Sequence, residues 1–119
     1  MKGIDLVVRG FYEEATKDIL IGYHFRHLED LDTHLPRIVS FWEIHLLGHS
    51  QTEIEKPFDL ISLHLPMKIK KGELHRWLFL FRKHLNQARE DNHLSEELAK
   101  KWEEKLVFFE EKFLRFLGL

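Results

Sequence analysis

Apolar residues return at every third or fourth position along most of this 119-residue chain, a spacing that packed α-helices produce and little else does. Ile4, Val8, Phe11, Tyr12, Ala15 and Ile19 form the first such series, which predicts a helix whose single apolar face carries Tyr12. Gly22 breaks it. A second series puts His34, Ile38, Phe41 and Trp42 on one face, with Leu35, Val39 and Leu46 beside it. Asp32 or Thr33 is expected to cap this helix, with Pro36 in its first turn, where a missing N–H does no harm, and Gly48 at its end. Leu74, Trp77, Leu78, Phe81, Leu85 and Ala88 make a third helix. Ser95 followed by Glu96 and Glu97 starts a fourth, a hydroxyl cap with acids at the positive helix end. Leu98, Trp102, Leu106, Phe109, Phe113 and Leu117 carry it to Gly118. His49 to Lys56 and Pro66 to Gly72 read as loops around a short apolar piece, Phe58 to Leu63, that ends at His64. No alternating run competes, so the chain reads as all-α and as one domain over residues 1–119.

Composition narrows what such a bundle can do. Ten Phe and three Trp suit a core that encloses something large and flat, and equally a plain Phe-rich core. Lys and Arg number 18 against 20 Asp and Glu, and Lys68, Lys70 and Lys71 form only a short cluster, so no nucleic-acid partner is expected. With no Cys there is no disulfide, thiolate metal site or Cys nucleophile. Asp5 and Arg9 interrupt the first apolar stretch, against a signal peptide. No run approaches the roughly 20 apolar residues of a membrane span. A soluble, cytoplasmic protein without a membrane partner is the expectation.

Nine histidines invite a search for metal sites. His45 and His49 are four apart, the spacing at which two imidazoles on one helix share a metal, but no Glu accompanies them as in HExxH, and Gly48 is expected to end the helix between them. A di-iron bundle needs carboxylate–histidine pairs recurring on apolar faces, whereas these histidines mostly stand alone. His75, His84 and His93 are expected at solvent-facing or boundary positions, and His24 and His27 at the rim of a pocket at most.

What remains is an ordered set. FYEEATKD contains Tyr12 and is followed by Phe25, seven residues after Asp18; HLPRIVSFWEIHLLG begins at His34; and HLPM begins at His64, thirteen residues before the Trp77 of RWLFLF. Each residue alone has an ordinary structural role, and the case rests on the joint pattern. In this order the motifs resemble group III of the truncated haemoglobins, over roughly Phe11 to Leu85, about two-thirds of the chain. The loop after Gly48 departs from the family in lacking Tyr-x-Gly and in being one residue longer. Leu74 stands where a Phe is common, and the last helix is long and Phe-rich.

The resemblance implies a two-over-two helical sandwich around haem b. His64 resembles the proximal iron ligand, and Tyr12 matches the distal tyrosine. Phe25 matches the phenylalanine against the porphyrin. His34 matches the distal histidine, which can swing toward the iron and is the candidate second ligand. Ile38 and Trp42 match the pocket wall, Trp77 the distal tryptophan, and Arg37 a basic residue near a propionate. Leu60, Leu63 and Phe81 are expected to complete the apolar walls. A haem needs such a setting: one fixed imidazole on one face and a crowded apolar pocket on the other. The implied function is reversible binding of O2 or another diatomic ligand, NO or CO, with slow NO-detoxifying or peroxidase-like chemistry as its enzymatic extreme and a reductase as the partner that would restore ferrous iron. A gas sensor or haem carrier working through a partner is a second reading, and a haem-free helical interaction domain a third. Phe108, Leu114 and Phe116 exceed what one buried face needs, so a monomer or a weak homodimer is expected.

Overall fold

The structure is a computed structural model that describes residues 1–25, 31–51 and 68–118, with backbone only over 31–33. Four α-helices account for most of these residues: α1 (Lys2–Ala15), α2 (Leu31–Leu47), α3 (Lys71–Glu90) and α4 (Glu96–Phe116), with one 3-10 turn, Gly22–Phe25, after α1. The principal contacts run α1–α2, α1–α3, α3–α4 and α2–α4, so the helices close a ring around one core. No strand occurs among the described residues. Among the described residues no helix is long and apolar enough to cross a membrane.

The apolar series fall where their spacing puts them. Ile4, Val8, Phe11, Tyr12 and Ala15 are buried on α1; Leu74, Leu78, Phe81, Leu85 and Ala88 on α3; Trp102, Leu106, Phe109 and Phe113 on α4. Ser95 caps α4, its hydroxyl accepting the Leu98 N–H at 3.1 Å. Gly48, one residue past α2, takes φ +85° and so ends the helix in the left-handed region that favours glycine.

The boundaries differ in three places, each for a local reason. Ile19 is not on the buried face of α1: the helix stops at Ala15, and Ile19 is 94% exposed. The Asp18 carboxylate accepts the N–H groups of Leu20 at 2.9 Å and Ile21 at 3.2 Å, a turn that competes with helix continuation. Helix α2 starts at Leu31, so Asp32 and Thr33 lie inside it and Pro36 stands beyond its first turn. Helix α3 starts at Lys71, taking Lys71 and Gly72 out of the expected loop; the Glu73 carboxylate accepts the Lys70 N–H at 2.9 Å and fixes that start.

A buried charge ties α1 to α2. Glu43, fully buried on α2, pairs with the α-amino group of Met1 and accepts the Gln51 N–H at 3.2 Å. An uncompensated carboxylate there would be costly, and Met1 and Gln51 reach it from outside α2.

Candidate functional site: an aromatic cavity around Tyr12

Helices α1, α2, α3 and α4 all contribute to an apolar cavity of about 70 Å³. Tyr12 lines it from α1, Ile38, Phe41 and Trp42 from α2, and Trp77 and Phe81 from α3. Leu106, Phe109 and Phe113 of α4 close the far side, with the half-buried Glu110 at the margin. Ile69, just before α3, adds a further wall.

Ring packing makes this wall continuous. Tyr12 meets Phe11 edge-on at 5.0 Å and Phe25 at 5.6 Å, and Phe25 meets Trp77 at 5.1 Å. On the opposite side Trp42 contacts Phe81 at 5.5 Å, Phe109 at 5.7 Å and Trp102 at 5.4 Å. Offset and edge-on rings at these separations are favourable beyond the area they bury.

Tyr12 is the polar group of consequence here. Its side chain is 7% exposed. Burial alone pushes the phenol well above its ordinary pKa, so the group stays a neutral O–H donor at any physiological pH. The cavity lining thus includes this one hydroxyl among aromatic and aliphatic groups. The Trp102 indole Nε1 is buried without a partner, but Trp102 does not line the cavity.

The residues singled out from sequence divide into three groups. Tyr12, Phe25 and Trp77 come together although they are 13 and 52 residues apart, and Ile38, Trp42 and Phe81 line the same space. His34 and Arg37 are half-buried on α2 and do not line the cavity. His64, Leu60 and Leu63 lie outside the described residues, as does His27.

Of the remaining histidines, His24 is a correction. It is buried, with Nε2 3.2 Å from the Glu73 carboxylate, and not at a rim. Burial raises the Glu73 pKa, but the Tyr23 hydroxyl, the Lys70 N–H and His24 outweigh it and leave the carboxyl below its ordinary value. His75 and His93 are exposed, and His84 bonds Glu14 at 2.8 Å. His49 is exposed beyond the end of α2, and no group of three potential metal ligands occurs among the described residues.

Phe41, Leu106, Phe109, Phe113 and Glu110 also line the cavity, and no sequence motif marks them as site residues. Spacing put four of them on apolar faces, but spacing cannot say which stretch of a face borders open space. Glu110 carried no apolar signal at all.

No family model, curated protein or solved structure matches the chain. What the cavity can do is set by its own chemistry. It is aromatic and small, with one neutral hydroxyl in its lining, which suits an apolar or weakly polar ligand.

Proposed function

We propose that this chain is a haem protein that reversibly binds O2 or another diatomic ligand, NO or CO, in a two-over-two helical sandwich of the group III truncated haemoglobin kind. Tyr12 carries the reading: a buried tyrosine lining an apolar cavity, its ring against Phe25, which in turn meets Trp77. Haem b, when bound, would supply the iron that takes the diatomic ligand. His64 would hold that iron, donating from its second ring nitrogen to a neighbouring acceptor that fixes its orientation. Phe25, Ile38, Trp42, Trp77 and Phe81, with Leu60 and Leu63, would exclude water. The Tyr12 O–H and the Trp77 indole N–H would donate to the partial negative charge of bound O2, bonds strengthened by the low dielectric around them. The same polarisation would serve NO-detoxifying or peroxidase-like chemistry.

The chemistry of the walls fits a haem, but their separation does not yet admit one. The cavity of about 70 Å³ is roughly half the ~150 Å³ that accepts benzene in an engineered core. A macrocycle must part Trp42 from Phe81 and Phe109 to enter. That closed packing favours a second reading, a haem-free helical domain that binds a partner through its surface.

Visible absorption separates the two. On titration with hemin, a Soret band saturating at one equivalent, shifting cleanly with dithionite and CO, supports the haem protein. His64→Ala should abolish it, and a normal spectrum in that variant would reassign the ligand. Absence of saturable binding assigns the chain to the haem-free reading. Resonance Raman of ferric His34→Leu tests His34 as second ligand: a six-coordinate low-spin signal that survives the substitution excludes it.

A further inference from the structure

The Asp18 turn presents two aliphatic side chains outward and holds them there. Ile21, at the end of the turn, is fully buried, while Ile19 is 94% and Leu20 56% exposed. Besides capping the turn, Asp18 accepts Arg76 Nε at 3.0 Å and Nη2 at 2.8 Å, which pins it to α3. The Arg76 guanidinium also lies 5.3 Å from the ring of Phe79, itself exposed. Tyr23, half exposed, reaches Glu73 with its hydroxyl. Two large aliphatic side chains exposed side by side on this turn have no role in the core and are placed to meet another surface.

Charge says what kind. Lys17 precedes the turn, and Lys68, Lys70 and Lys71 stand at the start of α3, where Glu73 joins Lys70 to Tyr23. All four are exposed, and none has an acidic partner among the described residues. Of the nearby acids, Asp18 turns to Arg76, Glu73 to Tyr23 and His24, and Glu14 to Lys83 and His84, while Glu13 is exposed one turn before Lys17. The corner thus offers apolar groups at its tip and a net positive set of ammonium groups at its base.

We propose that this corner docks on an anionic lipid surface. Ile19 and Leu20 enter the acyl boundary, Tyr23 lies at headgroup level, and the four lysines meet lipid phosphates while their stems cover apolar surface. A second copy of the chain fits less well, because a two-fold axis through the tip would set Lys17 against Lys17. A protein partner would need an acidic rim around a concave pocket, whereas a bilayer accepts a convex tip directly. Such docking is peripheral and needs no spanning helix. It stands independently of the haem reading.

The test is co-sedimentation of the full chain with vesicles of phosphatidylcholine alone and of phosphatidylcholine with one-third phosphatidylglycerol. Binding is expected to the anionic vesicles only, weakening as salt rises. Lys17→Gln/Lys70→Gln/Lys71→Gln should lower partitioning on the order of a hundredfold at low salt. Ile19→Ser/Leu20→Ser should reduce it at least tenfold with no change in helical circular dichroism, since both side chains are exposed. No binding to anionic vesicles overturns the proposal. So does binding that the aliphatic pair does not affect, which would mean charge adsorption without insertion. Gel filtration and polyglutamate binding cover the other occupants: a dimer abolished by Ile19→Ser/Leu20→Ser, or polyglutamate binding without vesicle binding, overturns it in favour of self-association or an acidic protein.

Discussion

Arg76 of α3 grips Asp18, 58 residues away, through two guanidinium nitrogens on one carboxylate oxygen, and the other oxygen caps the turn after α1. One side chain thus ends a helix, shapes the following turn and ties it to a distant helix. The Arg76 contact first, and the N–H groups of Leu20 and Ile21 as well, hold the Asp18 carboxyl below its ordinary value of 3.8 against the opposing effect of burial. The sign follows: a depressed folded pKa adds stability that is present above 3.8 and is lost as pH falls through the folded value. Asp18→Ala should cost about 2 kcal/mol, mostly the lost cap, because Arg76 is one-third exposed and its charge is screened. Urea denaturation at pH 7 measures this. Repeated at pH 3, the difference between variant and parent should shrink.

Tyr12→Phe separates a ligand donor from a structural tyrosine. Tyr12 is 7% exposed, and removing its hydroxyl should change the stability of the ligand-free chain by no more than about 1 kcal/mol. If the proposed haem reading holds, the same change in the haem-loaded protein should speed O2 release ten- to a hundredfold, about 1–3 kcal/mol. Thermal melting of the haem-free chain and stopped-flow O2 dissociation give the two halves. A destabilised free chain with an unchanged off-rate would make Tyr12 a core residue only.

Helix faces were legible because burial repeats with the period of the helix, which is why Phe11, Tyr12, Trp102 and Phe113 all fall on buried faces. Ile19 was misread because it continues that period, while the Asp18 side chain ends the helix before it. Periodicity detects apolar spacing and is blind to a carboxylate competing for backbone N–H groups. The contacts of Phe25 with Tyr12 and Trp77 are carried by no local spacing, since nothing in it brings residues 12, 25 and 77 together. Phe109 and Glu110 illustrate the remaining gap: whether a helical residue borders a cavity depends on how two helices separate, a relation carried by no single segment. The pairing of Met1 with Glu43 was equally hidden, because a lone Glu in an apolar series looks like a solvent-facing residue.

His45 gives the stability a pH dependence above the range of the carboxylates. Its ring packs against Phe41 at 4.4 Å and Phe109 at 5.2 Å. Burial first, then the positive charges of Lys105 and Lys112, push its pKa below the ordinary 6.5. A histidine with a depressed folded pKa leaves the fold undisturbed above 6.5 and weakens it as pH falls from there through the folded value, because the unfolded chain takes up the proton first. Glu14 and Glu73, ordinarily at 4.5, and Asp18 contribute only lower down. The melting temperature should therefore fall between pH 6.5 and 5, and His45→Gln should flatten that portion of the curve while leaving the steeper acid limb intact. An unchanged slope would assign this range to another group.

Two glycines in helices should respond to alanine with opposite signs. In the abstract Ala is favoured over Gly within a helix by about 1 kcal/mol. At Gly3 of α1 a Cβ would fall 2.2 Å from the His93 carbonyl oxygen and 2.7 Å from the Leu94 side chain. His93 follows Asn92, whose φ of +62° belongs to the tight turn between α3 and α4, so the carbonyl cannot move without disturbing that turn. Gly72 of α3 has open space around the same position. Gly3→Ala should cost about 3 kcal/mol, the clash outweighing the propensity gain. Gly72→Ala should instead stabilise by up to about 1 kcal/mol, with a full turn of α3 gaining order at no steric cost. Urea midpoints of the two variants, taken with unchanged m-values, test both. If Gly3→Ala proved neutral, the turn at His93 would have to stand farther from α1 than the structure places it.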